Sequence, residues 1–220
     1  MVDIFDEVDE ELRADRAQAL LRRYAGVIIA IALLIIGAAA GWQAWNWWQH
    51  KRDVEVAAAY LNAMHMADTA GPARATNWPE ATSAFESIGA SGPEGYRTLA
   101  RLRAAALKAD GGDIRGAAAL WDEVAGDSAA DPLLRDLASL MWVDHLLDTG
   151  DPGLVEARLK PLASPENPWH PLAYEAQALL YMRQGKRDEA RATLQRLAAD
   201  VTTPEGIRSR AKGLLDRLGG

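Results

Sequence analysis

The residue types that most often carry out chemistry are few and scattered in this sequence. Its four histidines, His50, His65, His145 and His170, form no His/Asp/Glu cluster at the spacing of metal ligands. There is no cysteine, which excludes disulfides, thiolate metal sites and thiol nucleophiles. We therefore expect no metal site in this chain.

Other catalytic patterns are also missing. The sequence contains no phosphate-binding loop, GxSxG elbow or dinucleotide fingerprint. The acidic pairs Asp122-Glu123 and Asp188-Glu189 fall at helix starts or on exposed faces, where carboxylates stabilise the helix terminus or stay in water. The sequence therefore predicts no catalytic residue, no cofactor and no enzyme activity.

Charge and composition narrow the class of protein. The chain has 220 residues, a net charge of −7 and a pI of about 5.1. It has no general basic field that could hold a nucleic-acid backbone, so we expect no nucleic-acid partner. Ala, Leu, Arg and Glu are abundant, and β-branched residues are scarce outside one run. This composition predicts an all-α fold.

One uncharged run predicts a transmembrane helix over residues 25–45. From Ala25 to Trp42 there are 18 residues without a charge. In a helix they extend about 27 Å, close to a hydrocarbon core of roughly 30 Å. The run ends in a cluster of tryptophans between residues 42 and 48, which is typical of the membrane–water interface.

The basic residues around this run favour a cytoplasmic N-terminus. Those before it are Arg13, Arg16, Arg22 and Arg23, and those after it are Lys51 and Arg52. A cleaved signal peptide is the alternative, since Ala38-Ala39-Ala40 offers the small residues of a cleavage site. However, residues 1–24 are longer than a normal leader and carry seven acidic side chains, which favours the uncleaved anchor.

Two features of the anchor region suggest contacts. Residues 1–24 are predicted to form a cytoplasmic amphipathic juxtamembrane helix, capped by Asp3, whose arginines either dock a protein or meet anionic membrane lipid. Gly37 and Gly41 form a GxxxG pair that allows a second helix to approach closely. The ordinary glycine content of membrane helices is the favoured explanation of this pair, and a transmembrane contact face for self-association is the alternative.

Beyond the anchor the sequence repeats. A helical pattern continues to about Ala67, where Gly71-Pro72 ends it. A large apolar residue with a second one three residues later then recurs at steps of 36, 38 and 35 residues. The pairs are Phe85/Ile88, Trp121/Val124, Leu159/Leu162 and Leu194/Leu197. Turns containing Gly112, Gly150 and Gly185 precede the last three pairs, so the repeating unit is helix–turn–helix.

This unit resembles the tetratricopeptide repeat, whose period is about 34 residues. The match is fullest in the last unit, where the large, small, aromatic, turn, small and large positions are Tyr174, Ala178, Tyr181, Gly185, Ala190 and Leu194. An earlier unit matches through Gly112, Ala117 and Trp121, but Arg101 and Lys108 replace apolar residues in its first helix.

The other two units depart further from the pattern. Pro152 and Pro161 are expected to shorten the second helix of one, and the first unit is recognisable only from Trp78 to Ile88. The tryptophans Trp78, Trp121, Trp142 and Trp169 are predicted to pack in the core or between repeats.

Stacked helix pairs of this kind predict an α-solenoid over residues 46–220. Such arrays leave a concave surface that binds proteins or peptides. The polar residues that the first helices would place on it include Arg103, Asp144, His145 and Arg183. For any single one of them, a solvated polar position is the favoured explanation and a binding role is the alternative.

The segment before the span contains, in this order, Ile4-Phe5, Glu7-Val8-Asp9-Glu10-Glu11 and Arg22-Arg23-Tyr24. Together with the span and the repeats, these residues resemble the ancillary subunit of the Sec translocon, a bacterial family of single-span inner-membrane proteins. The resemblance implies that the repeat domain is periplasmic. It also implies that the partners are Sec translocon subunits and periplasmic chaperones or exported polypeptides.

Taken together, these features predict a non-enzymatic scaffold anchored in the bacterial inner membrane. The alternative is an envelope-assembly or cell-division scaffold that uses the same repeats for another protein partner and self-associates through Gly37 and Gly41. A membrane-anchored enzyme ranks last, because no polar pocket is evident in the sequence.

Overall fold

The computed structural model describes the backbone of residues 4–68 and 74–219, and the side chains of residues 24–27, 29–68 and 77–219. Over these residues the fold is all-α, as predicted, without a β-strand. The helices are α1 (Ile4–Ala67), α2 (Arg74–Ser91), α3 (Glu94–Asp110), α4 (Ile114–Gly126), α5 (Pro132–Leu146), α6 (Pro152–Leu162), α7 (His170–Arg183), α8 (Arg187–Ala199) and α9 (Glu205–Gly219).

Helix α1 carries the apolar run. It is one helix from Ile4 to Ala67, so the predicted continuation of the anchor helix toward Ala67 is confirmed. Its apolar side chains are largely exposed within the chain, with Ile29 at 59% and Leu34 at 72%. The run has a mean hydropathy of 2.4 and is long and apolar enough to cross a membrane.

The predicted head of the protein is described in part. Its backbone is helical from Ile4 onward. The predicted cap, Asp3, lies outside the described residues, and so do the side chains of residues 4–23. The amphipathic character of this segment therefore stays a prediction.

The chain divides into two compact units, Met1–Val54 and Glu55–Gly220. The predicted bounds of 25–45 for the span and 46–220 for the repeat domain are based on the apolar run in the sequence, whereas these two units are defined by contacts within the chain. They stay predictions.

In the second unit, α2 to α9 pack in chain order, each against the next. In addition, α3 contacts α5, α5 contacts α7, and α7 contacts α9. The odd-numbered helices therefore lie side by side as the first members of successive pairs. This is the predicted helical repeat architecture.

The recurring apolar pairs hold the array together. They lie in α2, α4, α6 and α8, and all eight side chains are at most 7% exposed. A spacing of three residues puts both members of a pair on one face of the helix. Burying one large apolar side chain stabilises a fold by roughly 1.5–3 kcal/mol. The pairs are therefore the main attachment of the even-numbered helices to the core.

The first helix pair uses the end of α1. Ala63 is fully buried against Phe85 of α2, and the ring of Tyr60 meets the Phe85 ring edge-on with centroids 5.3 Å apart. The indole Nε1 of Trp78 donates to the carbonyl of Ala67 at 2.8 Å. The repeat pattern indicates α2, but it does not assign this segment of α1 as its partner.

Prolines bound the shortened helix. Helix α6 has 11 residues, against 13 in α4 and in α8. Pro152 lies in its first turn and Pro161 one residue before its end. Proline is tolerated at a helix start but cannot continue a helix. The expected shortening of this helix is confirmed.

Helix α9 is an element that the repeat pattern does not indicate. It begins directly after Pro204. Its buried side chains, Ile207 and Ala211, pack in one cluster with Leu194 and Leu197 of α8. It therefore covers the apolar face that the last repeat would otherwise expose.

Two turns between paired helices share one glycine geometry. Gly112, between α3 and α4, has φ of +87°, and Gly185, between α7 and α8, has φ of +74°. In each turn the following residue, Asp113 or Lys186, donates its N–H to a carbonyl five residues back. This is the Schellman closure of a helix, which favours glycine because it has no Cβ.

Replacing Gly185 by alanine is expected to lower the free energy of unfolding by about 1–2 kcal/mol, because a Cβ is unfavourable in the left-handed region. Gly213→Ala is the matched control, since Gly213 lies inside α9 with open space around it. There alanine should be neutral or stabilising by up to about 1 kcal/mol. Denaturant unfolding of the full-length protein in mild detergent, followed by circular dichroism, measures both; equal losses would contradict the left-handed turn.

Candidate functional site

A cavity of about 360 Å³ lies on the face formed by α5, α7 and α9. Its volume is at the lower end of the range of about 300–1,000 Å³ that is typical of ligand pockets. Because these helices are the first members of their pairs or the terminal helix, the cavity lies on the side of the array where the sequence predicts a binding surface.

Helix α5 presents one face to the cavity. Its lining residues are Leu140, Met141 and Asp144, and Leu147, the residue directly after the helix, completes this wall. Intervals of one and three residues place these positions on a single helical face. The register of the helix is set at its start, where the Asp131 carboxylate accepts the N–H of Leu133 at 2.8 Å and Pro132 occupies the first turn.

Helix α7 supplies the opposite wall. Its lining residues are Leu172, Glu175, Ala176 and Leu179. At the end of this helix, Nη1 of Arg183 donates to the carbonyls of Leu147, at 2.6 Å, and Gly150, at 2.9 Å. Carbonyls at a helix C-terminus lack partners within the helix, and a cation there is favourable. Arg183 therefore joins the end of α5 to α7.

Helix α9 contributes Arg210 to the cavity. Its Nε and Nη2 each donate to an oxygen of the Glu175 carboxylate, both at 2.6 Å. This hydrogen-bonded carboxylate raises the pKa of the Arg210 guanidinium above its ordinary value. The paired geometry directs two parallel hydrogen bonds between planar groups. The charge of Arg210 is thus largely balanced inside the cavity.

Asp144 is the other charged residue of the lining. It is exposed, and among the described residues it has no ion pair and no side-chain hydrogen bond. Met141 and Leu147 lie three residues to either side of it. An available carboxylate therefore stands next to an apolar surface.

The structure separates the four residues predicted for the concave side. Asp144 lines the cavity, and Arg103 is exposed on α3. His145 packs against Trp121, with ring centroids 4.7 Å apart. Arg183 binds the carbonyls at the end of α5. His145 and Arg183 thus have structural contacts that the sequence pattern does not indicate.

The positions assigned to repeat packing lie in different environments. Those at most 1% exposed are Ala117, Trp121, Ala178, Ala190 and Leu194. Tyr174 and Tyr181 are half-buried, and the cations of Arg196 and Lys186 lie 5.8 and 5.7 Å from their respective ring centroids. Gly112 and Gly185 form exposed turns.

The tryptophans of the repeat domain take part in packing, as predicted. Trp121 and Trp142 are buried, and the Arg158 guanidinium lies 4.1 Å from the Trp142 ring centroid. Trp169 is partly buried, and its Nε1 donates to the carbonyl of Leu133 at 3.1 Å. Its contact joins residues 36 positions apart, which is one repeat period.

The charged residues that replace apolar ones in α3 are paired. Arg101 Nε lies 3.3 Å from Glu123 and its Nη1 3.4 Å from Asp127, while Lys108 Nζ lies 3.0 Å from Glu86. The hydrogen bond that Lys108 donates to the Glu86 carboxylate raises the pKa of Lys108 above its ordinary value. These residues therefore join α3 to α4 and α2 by ion pairs where a regular repeat would use apolar contacts.

In the apolar part of α1, Gly37 and Gly41 have open surroundings. A Cβ built at either position would meet no other atom of the chain within 4 Å. The predicted contact face is therefore accessible, and its use in self-association stays a prediction.

Aromatic and basic side chains follow this segment. The rings of Trp45 and Trp48 are 5.6 Å apart, and the Arg52 guanidinium lies 5.0 Å from the Trp48 ring centroid. Lys51 Nζ lies 6.0 Å from the Trp47 ring centroid. Such amphipathic side chains suit a membrane–water interface.

The described side chains contain no group of three or more His, Asp or Glu residues that could hold a metal ion. The cavity lining includes one Asp and one Glu, and the Glu is held by Arg210.

A family model described as the tetratricopeptide repeat-like domain matches residues 18–219. The chain belongs to this family. No curated protein and no solved structure matched the chain. Tetratricopeptide repeat-like domains are typically non-catalytic scaffolds for protein–protein interaction. The match includes the apolar part of α1 as well as the tetratricopeptide-like helix pairs.

The Arg210–Glu175 pair is expected to couple α9 to α7 by about 0.5 kcal/mol, because the bidentate geometry is favourable but Arg210 is 55% exposed and therefore screened by solvent. A double-mutant cycle with Arg210→Gln and Glu175→Gln, followed by denaturant unfolding, measures this coupling. Arg210→Lys keeps the charge without the planar fork and should retain less than half of it. Strict additivity of the two substitutions would contradict the bridge.

Proposed function

We propose that this protein is a non-enzymatic scaffold, anchored in the bacterial inner membrane, whose periplasmic repeat domain binds other proteins beside the Sec translocon. The observation that supports binding rather than catalysis is the cavity on α5, α7 and α9. Its walls are mainly apolar, and the Glu175 carboxylate that lines it is already paired with Arg210.

The anchor is supported by the physical chemistry of α1. Eight of its residues between positions 27 and 36 are Val, Ile or Leu. At about −0.3 to −0.6 kcal/mol each, they favour insertion by roughly 2–5 kcal/mol. The tryptophans and cations that follow would lie at the outer interface. The arginines before the span favour a cytoplasmic N-terminus, which would place the repeats in the periplasm.

The specific partners follow from the resemblance to the ancillary Sec translocon subunit. The residues that carry it, within positions 4–24, lie at the cytoplasmic end of the anchor in this topology. The head and span would contact translocon subunits, while the repeats would receive chaperones or exported polypeptides. A scaffold for envelope assembly or cell division is the second candidate, favoured by the open Gly37 and Gly41 positions, which would let two anchors associate.

Affinity purification of the full-length protein in mild detergent, followed by mass spectrometry, tests these partners. We expect translocon subunits with the full-length chain and not with a variant lacking residues 1–48, because the head and span make that contact. A Gly37→Ile/Gly41→Ile variant is the matched control, and it should keep the translocon. If the full-length protein recovers division or envelope factors instead of translocon subunits, and the double variant loses those factors, the second candidate is favoured.

The topology has a separate test. Alkaline phosphatase fused to the C-terminus is expected to be active, because the enzyme requires export to fold, and a fluorescent protein at the same place should stay dark. Strong cytoplasmic fluorescence would overturn the periplasmic placement of the repeats. Reversing Arg22 and Arg23 to Glu reduces the positive charge that orients the anchor and should weaken the phosphatase signal.

A further inference from the structure

The charged side chains that line the cavity on α5, α7 and α9 differ in whether another side chain already pairs with them. Arg210 uses two nitrogens on Glu175, so the cation and one carboxylate largely cancel. Asp144 has no ion pair among the described residues. The available charge inside the cavity is therefore negative.

Residues near the cavity add to its negative character. Asp148 follows Asp144 by one helical turn and is also exposed. Arg183, the cation at the end of α7, is directed to the carbonyls of Leu147 and Gly150. An acidic ligand would meet like charge at Asp144, while the guanidinium groups of Arg210 and Arg183 already donate to other acceptors. Like charges placed together oppose binding.

The apolar part of the lining lies within one turn of the carboxylate. Met141 and Leu147 stand three residues before and after Asp144, and Leu172 and Leu179 face them from α7. If a partner protein inserts an apolar side chain into this part of the cavity, residues close to that side chain in the partner lie near Asp144. In a helical partner, the residues that share its face are three or four positions away in sequence.

We propose that this cavity binds a basic and apolar segment of a partner protein. One large aliphatic, methionine or aromatic side chain fills the space between α5 and α7, and a Lys or Arg near it pairs with Asp144. This inference rests on the proposed scaffold function and adds the chemical class of the segment that the repeats recognise.

The binding chemistry is tested by selecting random dodecapeptides on the full-length protein in lipid nanodiscs, with counter-selection on nanodiscs that lack it. We expect enriched sequences that combine an apolar residue with Lys or Arg nearby. One enriched peptide is then synthesised with a fluorescent label, and its affinity for the protein is measured by anisotropy.

Asp144→Asn is expected to weaken that peptide about two- to fivefold, as for a solvent-exposed ion pair. Asp144→Lys should weaken it further and should bind better a peptide in which Glu replaces the basic residue. Glu156→Lys is the matched control, because Glu156 is exposed on α6 outside the cavity. It should leave the affinity unchanged. Circular dichroism confirms that each variant is folded.

Ala176→Trp gives an independent test, because the larger side chain fills the cavity without changing its charge. Binding that survives Ala176→Trp, or that ignores the charge of residue 144, would overturn the inference while leaving the scaffold function intact. Cavity-dependent dimers of the protein, detected by sedimentation, would assign the site to a second copy and also overturn it.

Failure to recover any peptide would overturn the inference as well. The scaffold function is judged separately by the partners recovered in affinity purification. The two proposals therefore succeed or fail on different measurements.

Discussion

Each even-numbered helix from α2 to α8 carries two large apolar side chains one turn apart, and no single helix pair can bury them alone. Trp121 and Val124 of α4 reach at most 1% exposure because they join one cluster with residues of α3, α5 and α6. For the same reason, the end of α1 packs against α2, and α9 packs against α8. The order in which the helices pack thus follows from the burial of these apolar pairs.

This constraint also explains the location of the cavity. The even-numbered helices use their apolar residues for the core, whereas α5 and α7 have further apolar residues on another face. Val143 and Leu180 are buried in the core, but Met141, Leu172 and Leu179 are partly exposed and line the cavity. Long-range polar contacts hold the walls, as when Arg183 binds the end of α5. The cavity walls that a partner would contact are therefore held in place by polar contacts that lie outside the cavity.

Much of the fold could be predicted from the sequence because its signals are local and periodic. The steps between Phe85, Trp121, Leu159 and Leu194 predict the paired helices, and Pro152 and Pro161 predict the short α6. Helix α9 escapes the repeat pattern since it has no partner helix of its own, although Ile207, Ala211 and Leu214 have helical spacing.

The candidate site was harder to predict, because residue type does not reveal the distant partner of a polar side chain. Asp144 and Arg183 look equally available in the sequence, yet Arg183 binds carbonyls more than 30 residues away. Arg210 enters the cavity through its pairing with Glu175, 35 residues earlier. Such contacts depend on how the repeats stack, which the sequence of a single repeat does not contain.

Helix α9 also decides which kind of surface the array presents on the outer side of α8. Its inner side chains match the surface of α8, but its exposed residues include Lys212, Asp216 and Arg217. Helices with a polar outer face are typical of the ends of repeat arrays, because they leave no large apolar surface exposed to water. Helix α9 thus gives this side of the array a charged surface in place of the apolar face of α8.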